Sequence, residues 1–304
     1  MAQKVLLLYG GFSAEREVSI SAKNDITEAL KSKGYVVMEH DLTDVWAFLD
    51  FVRAQKPDVI YNGLYGNWGE DGEIQALLDM LQIPYTHSGM KASVLGMDKG
   101  LTKQIAAQNG VKVARGLSMT AADYAQWRQS EEVFFPHVVK PVSDGSSVGV
   151  FIVKDAIDAA KVAYNEANLS VLVEEYIAGR ELTTMCLEGK SYVVTELKAQ
   201  NEFYDYEAKY TAGKTQHILP ADLPSIVADT CCRCAEIIHK ALGCNTLSRC
   251  DFRYNPQDGV VLLEINTNPG MTSLSLVPEQ AKYVGISYAD LCDKLVKNAT
   301  CRKR

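Results

Sequence analysis

The first 90 residues alternate short apolar runs with stretches of helical spacing, and this rhythm limits the fold more than any other feature of the chain. Val5-Leu-Leu-Leu-Tyr9 reads as a buried strand stopped by Gly10-Gly11. Residues 19–33 then place Ala22, Ile26, Ala29 and Leu30 on one helical face, with Gly34 as the stop. Residues 35–38 and 58–61 read as further strands, and residues 46–55 and 74–81 as further helices. A β-α-β-α-β-α order requires parallel strands with helices on both faces, because parallel neighbours need a crossover between them. Ligands in such sheets bind at the carboxyl ends of the strands. Two glycine-rich loops fall there, residues 10–18 (GGFSAEREV) and 63–72 (GLYGNWGEDG), as ligand cradles or as plain crossovers.

At 304 residues the chain is long enough for two or three domains. It carries 31 Lys plus Arg against 38 Asp plus Glu, a net charge of -7, which argues against a nucleic-acid binder. A polyanionic substrate would therefore have to meet a local cluster of cations. The eight cysteines follow no zinc or disulfide spacing. Cys231 and Cys234 instead share a helical stripe with Val227, Ile238 and Ala241, where Cys packs as a small apolar residue. No apolar run reaches the roughly 18 residues of a membrane span, so a cytoplasmic protein without membrane contact is expected.

Beyond residue 92 the pattern changes to a helix over 99–109, strands over 137–141, 149–153 and 171–176, a helix over 157–165 and extended segments from Glu181. A turn is expected at Glu188-Gly189-Lys190, and residues 199–221 form a long polar and aromatic stretch with no clear period. Residues 248–254 and 260–265 flank the turn Pro256-Gln257-Asp258-Gly259. A symmetric hairpin places Asp251 opposite Glu264 and Arg249 opposite Asn266, all on one face. The other face pairs Cys250 with Ile265, Phe252 with Leu263 and Tyr254 with Val261 as a core face. Opposed carboxylates repel unless a cation lies between them, and this all-oxygen set suits Mg²⁺ beside phosphates. The other reading is a wet face with Arg249 paired to a carboxylate, and a one-residue bulge would undo the register.

Three further segments bear on chemistry. Lys140 ends a strand and is followed by the loop Gly145-Ser-Ser-Val-Gly149, which suits a flap over phosphates. The same residues match G-x-S-x-G, but a nucleophile elbow leads into a helix and this loop leads into a strand. Leu172-Val-Glu174-Glu175-Tyr-Ile177, continuing to Glu181, suits either a purine pocket or solvated acids at a junction. Phe203 to Tyr210, with Lys209, reads as a lid over a charged intermediate or as a packing loop.

Taken together these segments closely resemble the D-alanine–D-alanine ligases of the ATP-grasp superfamily. The signatures are GGFSAEREVS at 10–19, GEDG at 69–72, SVLGMDK at 93–99, KPVSDGSSVG at 140–149, EFYDYEAKY at 202–210 and LLEINTNPGMTSLSLVP at 262–278. The resemblance implies an α/β and α+β ATP-grasp fold. It would comprise a Rossmann-like parallel-sheet domain (1–92), a small central domain with the Gly/Ser flap (93–178) and a mixed-sheet domain with lid and metal site (179–304). It implies ATP as substrate, two Mg²⁺ ions with Mn²⁺ as a substitute, room for a monovalent cation, and a homodimer. By resemblance, Lys99, Lys140 and Lys209 contact phosphates, Glu174, Glu175 and Ile177 line the adenine pocket, and Glu181 holds the ribose. Asp251, Glu264 and Asn266 would carry the metal, and Arg249 with the Gly270 amide the oxyanion. Glu15 would hold the first D-alanine's ammonium, tied to Ser146 and Tyr210, while Ser275 and Leu276 would seat the second D-alanine's carboxylate. Tyr210 resembles the dipeptide-forming type. Tyr65 stands where many relatives carry His, and Asn268 and Leu274 where some carry Ser and His.

Overall fold

The computed structural model describes residues 2–143, 149–199 and 215–303. Ser146, Lys209 and Tyr210 lie outside the described residues, as do the flap tip and the lid. The chain opens with β1 (Lys4–Gly10), α1 (Arg16–Ser32), β2 (Val36–Leu42), α2 (Val45–Gln55), β3 (Val59–Asn62) and α3 (Glu73–Leu81). The strands form a parallel sheet in the order β2-β1-β3. Side chains alternate across it as a pleat requires. Val5 and Leu7 join α1 in one core, while Leu6 and Leu8 join α2 and α3 in another. All four are fully buried, and each burial is worth about 1.5–3 kcal/mol. Helix α1 starts three residues before the expected position. Ser13 opens it, accepting the Arg16 amide at its carbonyl (3.2 Å) and the Glu15 amide at Oγ (3.1 Å).

Next come α4 (Met90–Met97), α5 (Lys99–Gln108), β4 (Gly116–Thr120), α6 (Ala121–Trp127), β5 (His137–Pro141), β6 (Phe151–Val153), α7 (Ala156–Lys161) and β7 (Ser170–Glu175). The four strands form an antiparallel sheet in the order β4-β7-β5-β6 with its own core around Tyr124, Val139 and Val171. Helix α7 is shorter than the 157–165 stretch, because Val162 turns extended. Helix α4, strand β4 and helix α6 are absent from the pattern reading.

The remainder holds β8 (Arg180–Leu187), β9 (Thr195–Ala199), β10 (Thr215–Ile218), α8 (Ser225–Leu242), β11 (Leu247–Asn255), β12 (Gly259–Asn266), α9 (Leu276–Tyr283) and α10 (Tyr288–Lys297). Its sheet runs β10-β9-β8-β11-β12, and α8 covers one face with Cys231, Cys234 and Ile238 buried. All eight cysteines are free. Helix α10 returns to the first sheet, so Leu291, Cys292 and Leu295 share a core with Val5 and Leu7. Among the described residues no helix is long and apolar enough to cross a membrane.

The β11–β12 hairpin departs from the symmetric expectation twice, and the departures cancel at the site. Asn255 pairs with Gly259, closing a three-residue turn rather than a four-residue one, and Gly259 supplies the positive φ of 71°. A bulge between Asp251 and Phe252 then leaves Leu263 unpaired and restores the register beyond it. Arg249↔Asn266, Cys250↔Ile265 and Asp251↔Glu264 follow as expected. Phe252 pairs with Leu262 and Tyr254 with Val260, correcting the expected Leu263 and Val261. Leu262 is therefore the core residue, and Leu263 lines the cavity instead.

Candidate active site

One cavity of about 630 Å³ lies between the three sheets. Every predicted site residue within the described chain lines it: Glu15, Lys99, Lys140, Glu174, Glu175, Ile177, Glu181, Arg249, Asp251, Glu264, Asn266, Gly270, Ser275 and Leu276. Residues separated by more than 200 positions converge there.

One wall is the hairpin. Arg249, Asp251 and Arg253 alternate along β11 and face the cavity. Arg249 donates to both oxygens of Asp251 (2.9 and 2.8 Å), and Thr183 Oγ1 donates to Asp251 Oδ1 at 2.6 Å. Arg253 reaches Glu181 at 3.4 Å, and Lys99 Nζ lies 3.9 Å from Glu264. Arg249 is thus paired to a carboxylate, while Asp251, Glu264 and Asn266 still present hard oxygen donors to one face. Among the described residues no group of three His, Cys, Asp or Glu side chains could hold a metal alone. Two carboxylates and an amide suit a divalent ion that takes its other oxygens from phosphate and water.

A second wall is ionic. Glu174 on β7 pairs with Lys140 on β5 at 2.7 Å and with Lys103 on α5. Lys103 also donates to the Leu262 carbonyl at 3.2 Å. All three side chains are buried. Burial opposes the charge on Glu174, but the two ammonium groups outweigh it and hold its pKa low. Burial likewise pulls Lys140 down, and the charges of Glu174 and Glu264 reverse this and raise it. For Lys103 burial wins, and its pKa falls. Lys103 escaped the sequence reading. Its spacing of four from Lys99, on one helical face, was the available signal.

The third wall comes from the loops after β1 and β3. Ser13 Oγ donates to the Tyr65 carbonyl at 2.6 Å, and Ser19 Oγ donates to the Gly63 carbonyl at 2.6 Å. Gly66 (φ 68°) lies so close that a Cβ would sit 3.2 Å from Glu15 Oε2. Glu70 of the GEDG segment also lines the cavity. Burial, and then the charge of Glu15, push its carboxyl pKa well up. Ser275 Oγ accepts the Thr272 amide at 3.0 Å just before α9. His217 on β10 meets Glu279 of α9 at 2.8 Å, a link no motif announced.

Residues 104–297 match the family model for the D-ala D-ala ligase C-terminus. The chain belongs to the D-alanine–D-alanine ligase family. A D-alanine–D-alanine ligase of Dinoroseobacter shibae is 42% identical over 302 residues, covering 98% of this chain and 96% of that one. One from Ruegeria sp. (strain TM1040) is 44% identical over 304 residues, covering 99% and 97%. Among solved structures, the Bacillus anthracis D-alanine–D-alanine ligase complexed with ATP superposes with a TM-score of 0.82 at 30% identity, covering 98% and 97%. The VanG D-Ala:D-Ser ligase of Enterococcus faecalis gives 0.80 at 26%, covering 98% and 99%. The ATP-grasp ligase fold expected from the motifs is the fold observed.

Proposed function

We infer that this chain joins two D-alanines into D-alanyl-D-alanine, a peptidoglycan precursor, with conversion of ATP to ADP and phosphate. The observation that carries this reading is the opposition of Asp251 to Glu264, with Arg249 and Asn266 one pair along, in a cavity that also holds buried Lys140 and Glu15. The γ-phosphoryl group passes to a carboxylate oxygen of the first D-alanine as ADP leaves. The amine of the second D-alanine attacks the acyl carbon, the oxyanion collapses, and the C–O bond to phosphate breaks while the amine gives up a proton.

Lys140, Lys99 and Lys209 neutralise phosphate charge, and Glu174 aims Lys140 through their ion pair. Ile177 and the Glu174–Glu175 backbone offer the adenine edge, with Glu181 on the ribose and Arg253 holding Glu181. Leu263 gives the cavity an apolar wall. Glu15 holds the first ammonium, with Ser146 and Tyr210 as its partners. Ser275 and Leu276, at the start of α9, offer donors to the second carboxylate. Arg249 and the Gly270 amide stabilise the oxyanion. Asp251, Glu264 and Asn266 would hold Mg²⁺ or Mn²⁺, whose charge offsets that of the phosphates.

Domain limits at residues 92 and 178, a cytoplasmic homodimer and room for a monovalent cation belong to the same reading. Net charge of -7 supports the lack of a nucleic-acid partner. ADP release tests the assignment: D-alanine should support it, and L-alanine or D-lactate should not. Absence of D-alanine-dependent release would remove the ligase reading.

A further inference from the structure

Gly270 lies in the segment between β12 and α9, which is neither helix nor strand. Its position is set by direct bonds from the loop after β3. Asn268 Nδ2 donates to the Leu64 carbonyl at 2.7 Å, and the Met271 amide donates to the Tyr65 hydroxyl at 3.0 Å. The two acceptors are consecutive residues of the loop after β3, and the two donors bracket Pro269-Gly270. Asn268 is 1% exposed and Tyr65 3%, so water cannot replace either partner. Two more bonds secure the ends. The Asn268 amide donates to Asn266 Oδ1 at 3.0 Å, and Tyr288 Oη donates to the Met271 carbonyl at 2.7 Å.

Between these pins few torsions are left free. Pro269 has its φ fixed by its ring. The direction of the Gly270 N–H then depends on the Pro269 ψ and the Gly270 φ, and residues 268 and 271 limit both. A Cβ on Gly270 would stand 3.2 Å from Ser275 Oγ, so the backbone also runs close against the start of α9. An amide that stabilises an oxyanion must be aimed before charge develops, because reorientation during reaction cancels the gain.

We propose that Tyr65 is a positioning residue for the ligation. By accepting the Met271 amide hydrogen it holds the neighbouring Gly270 peptide in the orientation that meets the tetrahedral oxyanion. The loop after β3 aims a donor carried by the segment after β12, and Asn268 completes the clamp. This deepens the ligase reading and rests on Gly270 as an oxyanion donor.

Tyr65→Phe removes one oxygen and keeps the buried ring. The expected result is a kcat about 10-fold lower, a fraction of the loss from deleting a donor outright. KM for ATP and for the first D-alanine should stay within about twofold of wild type, because ground-state binding does not use the amide. Affinity for a phosphinate mimic of the tetrahedral intermediate should fall by the same factor as kcat, an effect that general loosening of the fold would not produce. Asn268→Ser, which removes the other pin, should give the same signature and serves if Tyr65→Phe does not fold. Unchanged kcat, or a lower kcat with undiminished mimic affinity, would overturn the proposal while D-alanine-dependent ADP release by the wild type preserves the ligase reading. Wild-type protein that releases no ADP with D-alanine would remove both.

Discussion

The β11–β12 face and the segment from Asn266 to Ser275 serve neighbouring parts of one site by different means. On the hairpin, backbone pairing decides which side chains meet: Asp251 faces Glu264 because strand register places it there. In the segment that follows, no ladder exists, and distant groups on Leu64, Tyr65 and Tyr288 hold the chain in place. A second tertiary clamp borders the same cavity, where Glu174 is held by Lys103 and Lys140 from two further elements. Register resists single side-chain changes, since the backbone bonds survive them. A tertiary clamp depends on each group in it.

Breaking this contrast gives effects of different kinds. Glu264→Gln should leave the hairpin paired, with a circular dichroism spectrum like wild type. Its turnover should fall by about 10³-fold or more, because the metal-holding charge is worth several kcal/mol. Retained turnover would contradict the metal assignment. Glu174→Gln should instead damage stability, because it leaves two buried ammonium groups without their counter-ion. A loss of about 3–5 kcal/mol is expected in urea unfolding, with ATP binding weakened alongside. A loss below about 1 kcal/mol would mean that the lysines find other partners. The Tyr65→Phe effect lies below both, because it misdirects a donor and removes no charge.

A separate effect, on stability alone, concerns pH. His87 is 1% exposed, and burial lowers its pKa to about 3. Between that value and the ordinary 6.5 the unfolded chain binds a proton that the folded chain refuses, so stability falls as pH falls through this window. From pH 7 to pH 5 the loss from this residue is about 2 kcal/mol. His87→Asn, which tolerates the positive φ of 67° there, should flatten the slope of the unfolding midpoint between those pH values. An unaltered slope would assign the acid sensitivity to other groups.

Some of what the pattern reading lacked was available in the residues. Thr120 and Asp123 form a reciprocal capping box that starts α6, and the T-x-x-D spacing announces it. Strand β4 offered less, because an edge strand with Gly116, Leu117 and Ser118 exposed shows no alternation to detect. The bulge at Leu263 had no local mark: Leu262-Leu263 are two identical apolar residues, and only packing against Phe252 selects which one enters the core. Lys103 showed its spacing from Lys99, yet its burial against Glu174 depends on the fold bringing β7 within reach of its side chain.

By itself the sequence determined the parallel β-α rhythm and the opposed carboxylates, and its ordered motifs pointed to the family. The rhythm and the opposition follow from periodicities of two and 3.6 residues and from turn chemistry, which are local properties. Tertiary structure alone decided the turn-and-bulge compensation in the hairpin, the Lys103–Glu174–Lys140 cluster and the clamp of Leu64 and Tyr65 on residues 268–271. Each joins groups from separate elements, and their pairing depends on how those elements pack and on the unmet need of buried polar groups for partners.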